Sequence, residues 1–404
     1  MSGLQGKRVL LGVTGSIAAY KAAEWVRLLV KEEAMVTVVM TEAAERFIAP
    51  LTFSALSGNP VHRDMFDETP DRVMAHINLS READVILVAP ATAQTIGRLA
   101  HGMADNLLAT VVLAARIPVV VCPAMNSAML SHPATLANIS RLEQFGYHLV
   151  QPGSGSLACG DTGDGRLADW DVAREELLAL FQPADLKGRK ILITAGPTRE
   201  PLDPARFLSN RSSGKMGFAL ARAARRRGAE VTLVTGPVHL PDPPGIEVVR
   251  VTTAAEMAAA VFERAKTMEV IVKSAAVADF KPSTYASHKI KKAQQGFHLD
   301  LVKNTDILTE LGKNRFPGQV LVGFAAESRD HVSEGQRKLR EKNLDLIVVN
   351  DILGSKTGFD VETNQVTLID RQASASLPLL SKEATANRIW DKVVLLLEKS
   401  DNEV

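Results

Sequence analysis

Apolar residues in this chain fall in short unbroken runs separated by longer amphipathic stretches. In the first half the runs are "RVLLGV" (8–13), "MVTVVMT" (35–41), "ADVILVAP" (83–90) and "IPVVVCPA" (117–124). In the second half they are "KILIT" (190–194), "AEVTLVTGP" (229–237), "VIVKSAA" (270–276), "QVLVGFAA" (319–326) and "LDLIVVN" (344–350). A strand that is apolar at nearly every position is one buried on both faces, and such strands alternating with helices predict parallel sheets covered on both sides. "GSIAAYK" (15–21) leads into a helix ending near Lys31, and "GKMGFALARAARRRG" (214–228) into its counterpart. Near the end, "QVTLID" and "ASLPLL" predict an antiparallel hairpin, followed by a helix over Lys382 to Leu397. The fold class that follows is α/β: two Rossmann-like, doubly wound parallel-sheet domains, the second with a C-terminal antiparallel hairpin.

The second pattern restarts after "FQPADLKG" (181–188), a Pro- and Gly-bearing stretch. The expected domains are residues 1–185 and 186–404. Lys7 and Arg8 before "VLLGVTGSIAA" mimic a signal peptide, but the same grammar recurs inside the chain as "KGRKILITAGP" (187–197). Both read as a basic turn feeding a buried strand. No uncharged apolar run reaches the ~18 residues needed to span a bilayer, so a soluble protein is expected. Over 404 residues, 47 Lys plus Arg balance 46 Asp plus Glu, which gives no global field for nucleic acid or membrane. Two cysteines, Cys122 and Cys159, exclude a disulfide scaffold and point to a reducing, cytoplasmic setting.

In α/β sheets ligands gather beyond the C-terminal strand ends. "GVTGSIAAYK" (12–21) lacks the G-x-G-x-x-G of dinucleotide sites, but its glycines and Ser16 suit one phosphate at a helix N-terminus as readily as they suit an ordinary tight turn. An NAD dehydrogenase also calls for an acid about 20 residues further on. Glu42 lies beyond that distance from Gly15. "SNRSSGKMG" (209–217) suggests a phosphate loop, yet Ser209 stands where a Walker sequence has its first glycine, and Met216 where it has Ser or Thr.

Further stretches in the first half are "APATAQTIG" (89–97), "GMADNLLAT" (102–110), "CPAMNSAM" (122–129) and "MAHINLS" (74–80). With these the first half resembles the homo-oligomeric flavin-containing cysteine decarboxylases, although Leu130 stands where that family often has an aromatic residue. The resemblance implies FMN held by Gly15, Ser16, Thr41, Pro90, Ala91, Thr92, Ala104 and Asp105. A carboxylate with no β-carbonyl has no electron sink, and oxidising the substrate thiol to a thioaldehyde creates one. His76 would be the acid/base, and Asn126 would hold the substrate carboxylate. Cys159, in the glycine-rich and lid-like "PGSGSLACGDTGDGR" (152–166), would donate a proton when the enethiol is reduced. Cys122, inside an apolar run, reads as structural.

"ITAGPTREPLDPARFLSNRSSGKMG" (193–217), "AAVADF" (275–280), "KIKK" (289–292) and "VGFAAE" (322–327) resemble the phosphopantothenate–cysteine ligase family. The implied reaction joins 4′-phosphopantothenate and cysteine through an acyl-cytidylate made from CTP. By this resemblance Lys289 and Asn210 are catalytic, Asn210 acting on the acyl-cytidylate. CTP would be bound by Ser274, Ala275, Asp279, Lys289, Thr305, Asp306, Ile307, Leu308, Phe324, Lys338 and Lys342, with Asp279 also meeting Mg²⁺. Thr305 stands where the family usually has proline, and Phe324 reads equally well as a core residue. A lysine cluster such as Lys289, Lys291 and Lys292 more often marks a solvated face, and only its setting favours the triphosphate. CTP over ATP, and whose phosphate the 209–217 loop holds, stay open at this level. The resemblance further implies a trimer-based decarboxylase part and dimeric ligase contacts. "KIKK" or "ARRRG" (224–228) as a nucleic-acid surface is the alternative of another class. "ARRRG" ends a helix, where cations suit the dipole, so the expected partners are small substrates, with no nucleic acid and no membrane.

Overall fold

Arg8–Val13 is exposed at its first residue and buried at the other five, and Val85–Ala91 is buried throughout. These are the central strands of the first of two units, Met1–Gln182 and Pro183–Val404, into which the chain divides. The computed structural model describes residues 3–66, 74–156, 160–291, 298–327, 331–351 and 361–403. No helix among the described residues is long and apolar enough to cross a membrane.

The first unit's main sheet runs, edge to edge, Val61–His62, Met35–Met40, Arg8–Val13, Val85–Ala91, Val119–Pro123 and His148–Leu149, with every pairing parallel. In chain order this is 3-2-1-4-5-6, the dinucleotide-fold arrangement. Side chains alternate between the faces as strand geometry requires. Val9, Leu11 and Val13 enter the core that includes Trp25, Leu29 and Leu177. Leu10, Ile86 and Val88 enter the opposite core with Leu79, Ile96 and Leu108. The glycine-rich stretch expected as a loop is instead an antiparallel hairpin of Gly153–Ser156 with Thr162–Arg166. Without side chains to alternate, its sequence gives no strand period.

The second sheet repeats the order and extends it: Glu247–Arg250, Glu230–Thr235, Lys190–Ala195, Val270–Lys273, Val320–Glu327 and Leu346–Asp351 are parallel, and Val366–Asp370 and Ser374–Ser376 are added antiparallel. One face packs on Lys215–Arg226 and Lys382–Glu403, where Trp390 is fully buried and donates its indole N–H to Leu220 O at 3.0 Å. The expected second arm of the C-terminal hairpin divides in two. Ser374–Ser376 stays in the sheet, while Leu380–Ser381 pairs with Thr363–Asn364. Pro378 between them has no amide to give the ladder. The "ARRRG" run is structural: Arg226 and Arg227 are buried, the first paired with Glu383, the second with Asp185 at 2.5 Å and Asp391 at 2.8 Å.

Gly236, just after Glu230–Thr235, shows how tightly the turns beyond neighbouring strands abut. A Cβ there would lie 1.8 Å from the carbonyl oxygen of Pro197. Gly236→Ala should therefore lower the second unit's stability by about 1–3 kcal/mol, seen as an earlier melting transition. An unchanged transition would refute the close approach.

Candidate active sites

In a 3-2-1-4-5-6 sheet the loops after strands one and four leave toward opposite faces and open a crevice between them. In the first unit Thr14 spans its floor. Its hydroxyl donates to Pro90 O at 2.5 Å and accepts from Thr92 N at 3.1 Å. The sequence reading missed Thr14, since one threonine in a strand-to-helix turn carries no spacing signature. Gly15, next to it, lies where a Cβ would stand 2.5 Å from Ala43 Cβ. Thr41 N donates to Val13 O at 3.0 Å, which brings Gly15, Ser16, Thr41 and Pro90–Thr92 to one edge of the sheet. Two side-chain atoms there and nearby, Thr41 Oγ1 and His76 Nδ1, are buried with no hydrogen-bond partner among the described residues. Buried polar atoms are otherwise almost always satisfied, so both fit a polar ligand such as a flavin. Thr92 also caps the helix Ala93–Ala100. Asp105 pairs with Arg98 at 2.9 Å, and Thr110 Oγ1 donates to Ala104 O, so these two positions have a local structural role. His76 belongs to Ala75–Glu82, which packs on Leu107–Ala114.

A cavity of about 660 Å³ opens at the same edge, lined by Ser16, Lys21, Met125, Asn126, Ser156 and Arg166 among others. The glycine-rich hairpin straps its far wall. Met125 N donates to Gly165 O at 2.9 Å, and Ser127 Oγ to Asp164 O at 2.7 Å. Gly165 has φ 129°, and a Cβ there would lie 2.1 Å from Met125 O, so only glycine allows this approach. Asn126 caps a short helix through Ala128 N at 2.8 Å and turns its amide nitrogen toward Asp161 at 3.3 Å. Cys159, between the hairpin arms, lies outside the described residues.

The second crevice is built the same way. Ala275 N donates to Thr194 Oγ1 at 3.2 Å, Ala278 N to Thr198 Oγ1 at 3.0 Å, and Ser274 Oγ to Thr194 O at 2.6 Å. Asn304 ties Asp279 to the segment 305–308, its N donating to Asp279 O at 2.8 Å. Asp306 caps the helix Ile307–Lys313 and accepts from Lys342 Nζ at 2.7 Å. Ser274–Asp279, Thr305–Leu308 and Lys342 are thus brought together. Lys338 lies one turn before Lys342. Ile307 and Leu308 are buried, so their side chains belong to the core and backbone is what they offer a ligand. Phe324 packs on the opposite face of the sheet, with the Phe218 and Trp390 core. For that residue the core reading describes the packing.

Asn210 donates to Ala276 O at 3.1 Å and lines a cavity of about 590 Å³ with Arg199, Arg211, Ser212, Lys215 and His239. These cations suit an anion. The backbone beside Lys289 is held by a clamp that the sequence reading did not foresee. Buried Asp203 accepts from Ile290 N at 3.1 Å and from Arg206 Nη2 at 2.6 Å, and the Arg206 guanidinium donates to Ile290 O at 2.7 Å. Both peptide groups of Ile290 are held, and with them the backbone beside Lys289. Lys292 lies outside the described residues. No group of three or more metal-ligating side chains occurs among the described residues. A Mg²⁺ that keeps several waters and phosphate oxygens needs only one or two carboxylates, and Asp279 can supply one.

Burial alone would raise the Asp306 pKa, but the bonds from Lys342 and Thr309 outweigh it and hold it at about 2. Between the ordinary value of 3.8 and about 2, the unfolded chain binds more protons than the folded one, so this contact's stabilisation is complete above pH 4 and is lost below it. The stability advantage of the wild type over Asp306→Asn in urea should shrink as pH falls from 5 to 3. An advantage constant over that range would count against the contact.

Two family models match the chain: "Flavoprotein" over residues 2–181 and "DNA/pantothenate metabolism flavoprotein C-terminal domain" over residues 186–396. The coenzyme A biosynthesis bifunctional protein CoaBC of Vibrio cholerae is 46% identical over 391 residues, covering 96% of this chain and 98% of that protein. The protein of the same name from Bacillus subtilis is 46% identical over 402 residues, covering 98% and 99%. A solved C-terminal domain of a CoaBC protein is 40% identical and covers 54% of this chain and 99% of that one, with a TM-score of 0.47. The chain belongs to the CoaBC family of bifunctional coenzyme A biosynthesis proteins, a flavoprotein domain followed by the pantothenate-metabolism domain.

Proposed function

We propose that this chain performs two consecutive steps of coenzyme A synthesis. The second unit joins cysteine to 4′-phosphopantothenate at the expense of CTP. The first unit decarboxylates the product, phosphopantothenoylcysteine, to 4′-phosphopantetheine with FMN as cofactor. The enzyme works in the cytoplasm as a homo-oligomer, in keeping with apolar side chains as exposed as Phe66 (79%) and Leu51 (77%). The observation that carries the reading is the presence of two crevices of the same construction, one in each family-matched stretch.

In the ligase half, the carboxylate of 4′-phosphopantothenate attacks the α-phosphorus of CTP and pyrophosphate leaves. The amine of cysteine then attacks the acyl carbon, CMP leaves with the electrons of the broken bond, and the new amide gives up a proton. Charge on the phosphates grows during the first step, and Lys289, Lys338 and Lys342 oppose it. Asp279 would hold a Mg²⁺ ion, which would supply positive charge to the triphosphate. Asn210 orients the acyl-cytidylate for the amine, its own amide held by Ala276 O. In the decarboxylase half, bound FMN supplies the two-electron oxidation and reduction that create and then remove an electron sink. Gly15, Ser16, Thr41 and Pro90–Thr92 would hold it, with the free hydroxyl of Thr41 as one donor. His76 moves the proton of the reacting thiol, Asn126 holds the carboxylate, and Cys159 returns a proton at the end.

Purified protein given 4′-phosphopantothenate, cysteine, Mg²⁺ and CTP should yield 4′-phosphopantetheine and CMP by mass spectrometry, with a parallel ATP reaction testing nucleotide choice. Absence of any amide product with either nucleotide would remove the ligase assignment. His76→Asn should leave ligation intact and slow decarboxylation by roughly 100-fold or more, so that phosphopantothenoylcysteine accumulates. Phosphopantetheine formed at the wild-type rate would clear His76 of the role.

A further inference from the structure

Lys273 is the last residue of the central strand Val270–Lys273, at the mouth of the second crevice, the one charged position in the apolar run 270–276. It lies in register with Thr194 and Gly323 on the flanking strands. Ile271 and Ala275, two residues to either side, sit in the core beneath Ile307–Lys313 and His331–Glu341, so Lys273 projects to that face. This is the face that carries Asp306 and Lys342. Beside it, a Cβ at Gly323 would meet Leu344 and Leu308 at 2.8 and 2.9 Å, so apolar side chains wall the neighbouring position.

The charge there feels Asp306 and Asp279 but contacts neither of them. Asp306 is already engaged by Lys342 and by Thr309 N. Lys273 is half-buried and makes no hydrogen bond or ion pair with any described residue. Burial lowers its pKa to about 8, the Lys342 ammonium adds to that effect, and Asp306 and Asp279 oppose it. A half-buried lysine beside an apolar wall and a second ammonium is stabilised further when an anion arrives to meet it.

We propose that Lys273 is a nucleotide-binding residue of the ligase half, its ammonium contacting the phosphate chain of the bound triphosphate alongside Lys342. The inference rests on the reading of this crevice as the CTP site. It also adds a charge at the point where the triphosphate needs it: the switch between strands one and four, where the loops diverge.

The full-length enzyme with Lys273→Met, which keeps the stem and removes the charge, tests it. The KM for CTP should rise roughly ten- to hundred-fold, while the melting transition of the second unit in the absence of nucleotide stays at the wild-type position, which certifies its fold. In the wild type, labelling with an amine-reactive reagent near pH 8, read by mass spectrometry, should show Lys273 protected by CTP. An unchanged KM in the variant, or equal labelling with and without saturating CTP, overturns the proposal. If the variant does not fold, the labelling decides alone. A wild type that forms no amide product with any nucleoside triphosphate would instead remove the reading of the crevice itself, a result distinct from failure of Lys273 within a working ligase.

Discussion

The site geometry of both units depends on one kind of contact: a threonine hydroxyl that bonds backbone groups across the gap between the first and fourth strands. Where the chain reverses its direction of winding, the two loops part and their amides and carbonyls lose the ladder that satisfied them. Thr14 serves Pro90 O and Thr92 N in one unit, and Thr194 and Thr198 serve Ala275 N and Ala278 N in the other. A buried amide left unpaired costs more than a made bond contributes. Each crevice therefore stays open and rigid only because a short side chain replaces the missing backbone partner.

On this floor the two units develop different chemistry. The first gathers small residues and unpartnered polar atoms, and it places a hairpin over Asn126 through contacts that tolerate nothing larger than Gly165. The second gathers cations. Lys342 is held by Asp306, and the segment of Lys289 is held by Asp203 and Arg206 through the backbone of Ile290. Placing Lys289 from its neighbour's peptide leaves its own ammonium out of the clamp.

The sheets were legible because doubly covered strands are apolar at nearly every position, and "VILVAP" or "KILIT" has no competing explanation. The crevices were legible as places, since strand order fixes where loops diverge. Individual residues were less so. Thr14 and Asp203 act through single hydrogen bonds to distant backbone, which leaves no periodicity. The hairpin at 153–166 was hidden by its glycines, and the one at 199–209 by Pro201 and Pro204, which interrupt any alternation. The resemblance supplied Phe324 as a nucleotide contact, yet strand alternation turns it to the face away from Asp306, a distinction that only the register reveals.

The outermost strands of the two main sheets are short: two residues at each edge of the first, four and three at the edges of the second. Such an edge offers a neighbouring chain too little backbone for strand addition. Any association through these two sheets would therefore rest on side chains, through shape and apolar fit rather than by continuing a ladder. Contact of that kind is specific to sequence, and edges this short give open-ended aggregation little backbone to build on.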